Sequence, residues 1–156
     1  MKHALKCLLS LCMLALPLSA HALLANCTVV ATGITFTPYV SPGGASVTGT
    51  GNSAVTCSGL GVLVNYTITL SAGNGTFASR SLIFATTNIL SYNLYTDTGR
   101  TLIWGDGSAG TNTVSDSYLL SLGNTTRNYT VYGLIGGGQN KRAGTYTDTL
   151  TMTVTF

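Results

Sequence analysis

The chain contains no glutamate, and both of its histidines, His3 and His21, fall within the first 22 residues. Beyond residue 22 there are four aspartates (Asp97, Asp106, Asp116, Asp148) and five basic residues (Arg80, Arg100, Arg127, Lys141, Arg142). A serine nucleophile would find no imidazole to take its proton, and no paired carboxylates stand out for glycoside chemistry. The aspartates are scattered, with no i, i+2 pair in a loop of the kind calcium requires. Cys27 and Cys57 have neither a CxxC spacing nor a histidine beside them, which argues against a zinc or redox centre. The expectation is a protein that is not an enzyme and uses no metal or cofactor. A net charge near +1 beyond residue 22 gives no basis for nucleic-acid binding or for an anionic membrane surface. No stretch shows a 3.6-residue apolar period, and there is no internal repeat.

One long apolar run is present, at the very start. Lys2 and Lys6 precede an apolar run of eleven residues from Leu8 to Leu18 that includes Ser10 and Pro17, and Ala20-His21-Ala22 offers a small-residue cleavage site. This is the pattern of a secretory signal peptide over residues 1–22, too short for a spanning helix. No later segment approaches 18 apolar residues, so no membrane span is expected in the mature chain. Cleavage removes Cys7 and Cys12. Cys27 and Cys57, left alone in an oxidising compartment, are expected to form one disulfide closing a loop of about 31 residues, worth about 3–4 kcal/mol by chain entropy.

The remaining residues, 23–156, suffice for one domain with its own core. Threonine dominates, occurring 26 times in the whole chain. Short runs rich in Thr, Val and Tyr predict strands over 27–31, 34–37, 45–50, 53–57, 62–71, 82–85, 89–96, 101–104, 117–122 and 128–135. Gly/Asn punctuation separates them, including a turn at Gly51-Asn52 and a hairpin signal at Asn74-Gly75. Gly136 to Arg142 reads as a mobile loop. The spacing predicts an all-β antiparallel sandwich. Gly49-Thr50-Gly51 has a superficial likeness to a phosphate-binding loop, but a strand rather than a helix follows it. The five Asn-x-Thr matches are what so much threonine produces by chance.

The last thirteen residues are the most regular. From Tyr146 the even positions read Tyr146, Asp148, Leu150, Met152, Val154 and Phe156, while every odd position from Thr145 to Thr155 is threonine. Alternation with period two predicts one strand with an apolar and a hydroxyl-lined face, roughly 40 Å long. A strand at the end of a chain must find both neighbours earlier or leave an edge open, and open apolar edges invite other chains. Asp148 interrupts the apolar face and calls for a partner if buried, with Arg80 or Arg100 the candidates.

Three stretches together resemble the spore coat protein U domain family, which includes subunits of archaic chaperone–usher pili. They are Cys27-Thr28-Val29 with Cys57; Leu90-Ser-Tyr92-Asn93-Leu94-Tyr95-Thr-Asp97; and the terminal Gly144-to-Phe156 pattern, with Trp104-Gly-Asp-Gly and Tyr132-Gly133 alongside. The Phe-Gly pair common after the family's first strand is Phe36-Thr37 here. The resemblance implies an immunoglobulin-like sandwich missing its last strand. Leu150, Met152, Val154 and Phe156 would line a groove filled first by a periplasmic chaperone and then by another pilus subunit delivered to an outer-membrane usher. It further implies that a basic chaperone residue anchors the carboxylate of Phe156, and a destination at the cell surface in adhesion and biofilm. Cleavage after Ala22 would leave only Leu23 to Asn26 ahead of Cys27, too short for a donor arm, which suits a fibre tip or minor subunit. Two other readings stand beside this one. The first is a surface- or glycan-binding adhesin using the loops at 105–112 or 136–142 with Trp104; the second is a spore-coat structural protein.

Overall fold

The computed structural model describes residues 25–156; the predicted signal peptide lies outside them. Six strands form one antiparallel sheet: β1 (Asn26–Thr32), β2 (Val47–Leu70), β3 (Arg80–Phe84), β4 (Asn88–Tyr95), β5 (Val114–Ile135) and β6 (Met152–Thr155). Their order is β1-β2-β5-β4-β3, with β6 on β2. β2 and β5 are far longer than strand-by-strand reading predicts. They run in one unbroken register from Val47↔Ile135 to Ile68↔Val114.

The predicted turn at Gly51-Asn52 is therefore absent, and its glycine has a packing role. A Cβ on Gly51 would lie 2.7 Å from the Ile34 side chain, and one on Gly133 would lie 2.7 Å from the ring of Phe36. Glycine inside a strand marks close approach as well as a break. Here Gly49, Gly51 and Gly133 make a hollow that Ile34 and Phe36 fill.

A ribbon this long curls over to make both layers of the sandwich. Ser53 and Tyr129 are register partners in its first half, and Tyr66 and Asp116 in its second. Yet the Tyr66 and Tyr129 hydroxyls are hydrogen-bonded to each other, and Tyr129 donates to Asp116 at 2.6 Å. The Tyr129 hydroxyl holds the Asp116 carboxyl below its ordinary range. Gly61 and Gly123, at φ +61° and +99°, sit at the crossing, one in each strand. Across them the buried side switches from odd positions (Ser53, Val55, Cys57) to even ones (Val64, Tyr66, Ile68, Leu70). Positive φ is inexpensive only for glycine.

Cys27 and Cys57 are register partners in the β1–β2 ladder and are joined by a disulfide, with Cα atoms 4.0 Å apart. The Asn74-Gly75 signal does end β2, but no hairpin follows. β3 pairs with β4 in the other layer, because β6 occupies the edge of β2 there.

The C-terminal strand also departs from expectation. Its alternation holds, with even positions from Tyr146 to Val154 half-buried and odd ones exposed. Its ladder, however, is only four residues long. The segment touches β3 at a single bridge, Ile83↔Thr147, then crosses to pair Met152–Thr155 with Leu70–Thr67 of β2. One straight strand cannot follow two edges in two layers.

Arg80 is completely buried beneath this crossing. It donates to Ser71 O at 2.9 Å, Trp104 O at 2.7 Å and Asn93 Oδ1 at 2.5 Å, and stacks on Phe77 at 5.5 Å. Burial lowers its pKa. Replacing it leaves the Ser71 and Trp104 carbonyls without that donor, while Asn93 Oδ1 keeps the Leu94 N–H. Arg80→Met is expected to cost about 3–5 kcal/mol in urea unfolding, more than breaking an exposed contact could; a loss under 1 kcal/mol would show that the acceptors are satisfied by other means.

Candidate functional site: an open groove

Beside the C-terminal segment lies a cavity of about 1070 Å³, floored by Leu70, Leu82, Leu90, Leu94, Val131 and Ile135. These come from β2, β3, β4 and β5, so the floor is the inner face of the sandwich. One wall is residues 31–41, leading on from β1; the other is residues 141–150 with Met152. Both walls are extended chain with unused hydrogen-bonding capacity.

Residues 33–41 make no backbone–backbone hydrogen bond among the described residues, and are held by Ile34 and Phe36 in their glycine hollow. On the opposite wall Thr147 exchanges both its backbone bonds with Ile83, and Thr151 O accepts from Ser71 N. Strand geometry turns successive residues to opposite edges. The backbone groups of Tyr146, Asp148 and Leu150 thus face the groove, and among the described residues they take no partner. An apolar floor between two unpaired strand edges is an arrangement proteins usually cover.

One end of the groove is tied shut. The Gln139 backbone N–H donates to the Tyr39 hydroxyl and that of Lys141 to Ser41 Oγ, each at 2.6 Å. The Gln139 side chain also accepts from Ser91 N and donates to Ser91 O, both at 2.8 Å. It thereby serves β4 as a strand neighbour just past the end of β5. The segment expected as a mobile loop is anchored to the first wall and to β4.

The sequence-selected residues fall in different places. Leu150 and Met152 line the cavity. Val154 is half-buried on β6 beyond it, and Phe156 is 58% exposed, bordering a shallow surface depression together with Asn65–Thr67 and Ser115–Ser117. Asp148 lines the groove, but its carboxylate partners are neither of the expected arginines. It accepts from the Tyr92 hydroxyl at 2.7 Å, Asn74 N at 3.0 Å and Thr149 N at 2.7 Å. Burial first, and then the Asp148 carboxylate, push the Tyr92 pKa up, so Tyr92 stays a neutral donor.

Arg100 sits elsewhere, donating to Gly133 O and Thr98 O and stacking on Tyr132. Trp104, considered for glycan contact, is fully buried with its indole N–H on Ile68 O, so it is a core residue. Sequence reading predicted a strand over 34–37 but did not assign residues 31–41 to the groove. The only signal for it was the glycine pattern at 49, 51 and 133, whose meaning depends on Ile34 and Phe36 lying above it.

The model of the Spore Coat Protein U domain matches residues 13–153. The chain is 38% identical over 132 residues to Protein U of Myxococcus xanthus, covering 78% of this chain and 69% of that protein. Its fold is similar to one determined for the CsuC–CsuE chaperone–tip adhesion subunit pre-assembly complex from archaic chaperone–usher Csu pili of Acinetobacter baumannii. The TM-score there is 0.57 at 23% identity, over 85% of this chain and 40% of the matched one. The chain thus spans about two fifths of that structural relative.

Gly133→Val is expected to push Phe36 out of its hollow and cost about 1–3 kcal/mol in urea unfolding. Adding Phe36→Ala should recover a measurable part of that loss. Strict additivity of the two substitutions would mean that they do not share the hollow.

Proposed function

We propose that this chain, which belongs to the Spore Coat Protein U domain family, is an exported structural subunit of a chaperone–usher surface pilus and that its groove receives a β-strand from another protein. The observation that carries this reading is the pair of unpaired backbone edges over one apolar floor. An inserted strand would supply hydrogen bonds to Tyr146, Asp148 and Leu150 on one side and to residues 33–41 on the other. Its alternate side chains would cover the leucines beneath, which is β-strand addition with pockets setting the register. The described residues include no helix long and apolar enough to cross a membrane.

In this reading a periplasmic chaperone supplies the strand first, and another subunit replaces it at an outer-membrane usher. Leu150 and Met152 contact the inserted strand. Val154 and Phe156 contact the chaperone beyond the groove, where the terminal carboxylate meets a basic residue. With residues 1–22 removed, Leu23 to Asn26 extend about 13 Å, against roughly 20 Å for Leu150 to Phe156 alone. The subunit accepts a strand but donates poorly, which suits a tip or minor position in a fibre used for adhesion and biofilm. A spore-coat structural role is the second reading, favoured by the greater identity to Protein U.

Co-expression with a candidate periplasmic chaperone tests the reading. Leu150→Asp with Met152→Asp places two charges on the groove wall, each forfeiting about 1.5–3 kcal/mol of apolar burial, so recovery of the chaperone complex should fall by more than about tenfold. Thr151→Asp with Thr153→Asp, exposed and outside the cavity lining, should leave capture intact. Equal capture of both double variants would overturn the groove assignment. Stable, monodisperse protein without any chaperone would instead favour the coat-protein reading.

A further inference from the structure

Charge is scarce in this chain and unevenly placed around the groove. Beyond residue 22 there are five basic side chains. Two of them, Lys141 and Arg142, are neighbours and line the cavity at the end where its walls are tied. The backbone that carries them is held at three points. Lys141 N–H donates to Ser41 Oγ at 2.6 Å, and Arg142 O accepts from the Tyr146 hydroxyl at 2.8 Å. Gly144 packs so closely on Phe84 that a Cβ there would clash with the ring. A fixed piece of wall therefore presents the two cations.

Neither cation is neutralised from within. Among the described residues one ion pair is present, between Arg127 and Asp116, and the hydrogen bonds of Lys141 and Arg142 are made by their backbone alone. The other charge on the lining is Asp148. Its oxygens are already engaged by Tyr92, Asn74 and Thr149, and buried Arg80 lies within its electrostatic reach. Asp148 thus offsets Arg80, and the tied end of the groove stays positive.

We propose, on the reading that the groove accepts a β-strand, that Lys141 and Arg142 select the strand by its charge: the residue that reaches the tied end is an aspartate or glutamate on an otherwise alternating apolar segment. The rest of the groove discriminates little. Bare backbone edges bond any sequence, and a leucine floor takes any apolar side chain that fits. Opposite charge adds selectivity and speeds encounter, while a basic residue brought to the same place meets two like charges.

The walls fix where that residue stops. The Tyr39–Gln139 and Ser41–Lys141 hydrogen bonds close the way ahead, so the end of an inserted strand comes to rest beside Lys141 and Arg142. A free anion is less suited to the place. The Lys141 N–H is already given to Ser41, so it would find side-chain charge there without that amide. A carboxylate carried by a strand in the groove arrives tethered, at high effective concentration.

Synthetic strand peptides of alternating valine and threonine, acetylated and amidated so that their termini are uncharged, test the proposal. They carry aspartate, asparagine or lysine at one end, in one set at the first position and in another at the last. The exported chain is refolded from urea with each peptide, and affinity is read from the rise of the unfolding midpoint with peptide concentration. In the set whose variable residue reaches the tied end, aspartate should bind about three- to tenfold tighter than asparagine, and lysine more weakly than both. The spread should narrow at ~0.5 M salt. In Lys141→Gln with Arg142→Gln the asparagine peptide should bind as before and the aspartate advantage should be gone. The salt dependence is measured on the unsubstituted chain, so it answers even where the substitutions disturb refolding.

Stabilisation by every peptide with no preference at either end would overturn the proposal and leave the strand-accepting groove standing. An aspartate preference that survives both substitutions, or that ignores salt, would overturn the assignment to these two side chains. Acetate stabilising the chain as well as the aspartate peptide does, at equal concentration, would make the tied end a site for free anions and overturn it too. If no peptide of either set stabilises the chain, the groove reading itself fails and takes the proposal with it.

Discussion

A backbone N–H or C=O withdrawn from water needs a partner, and in this chain the β2–β5 ladder supplies more partners than any other pairing. Its register holds constant from Val47↔Ile135 to Ile68↔Val114, so both layers of the sandwich are built from one ribbon that curls at Gly61 and Gly123. β1, β6 and β4 are placed by the edges the ribbon leaves. β1 takes the first half of the outer edge of β2, β6 takes the end of it, and β4 joins the last four residues of β5. The disulfide staples β1 where the ribbon begins to curl, and the Tyr66–Tyr129–Asp116 cluster ties one half of the ribbon to the other.

The groove follows from what the ribbon cannot complete. Two extended segments flank the inner face and meet at one end alone, where the Lys141 backbone N–H donates to Ser41 Oγ. The first is held by side chains alone, Ile34 and Phe36 standing in for backbone bonds by filling a glycine hollow. The second is pinned at intervals, by Thr147 on β3, by the Asp148 carboxylate on Tyr92 and Asn74, and by Thr151 on Ser71. Between those pins its even-numbered backbone groups stay free. Buried Arg80 contributes from below, joining the end of β2, the Trp104 carbonyl and β4 with a single guanidinium. The hydrogen bonds to Tyr39 and Ser41 then close one end, so a strand entering the groove has a definite limit.

Much of this was legible beforehand, and for a common reason. The alternation from Tyr146 to Val154 assigns which side chains turn inward, because a strand's period of two needs no knowledge of its neighbours. The cysteine pairing was legible because Cys27 and Cys57 are the two cysteines beyond the predicted signal peptide. Partner choice was not. Asp148 announced that it needed a donor, and a sparse set of charges pointed to Arg80 or Arg100. A tyrosine hydroxyl and two backbone amides met that need, and no composition or spacing identifies those.

By itself, then, the sequence determined the strand-rich composition, the inward and outward faces, the disulfide and the presence of one more amphipathic strand than the chain had obvious partners for. These are local properties, set by side-chain stereochemistry and residue type. Only the tertiary structure decided that Gly49, Gly51 and Gly133 mark a hollow and not turns, that the final segment splits between β3 and β2, and that Leu150 and Met152 line the cavity while Phe156 lies outside it. The physical reason is that each depends on which distant residue comes within contact distance. A missing Cβ reads the same in a turn as beneath a phenylalanine ring, and only the folded chain brings Phe36 to Gly133.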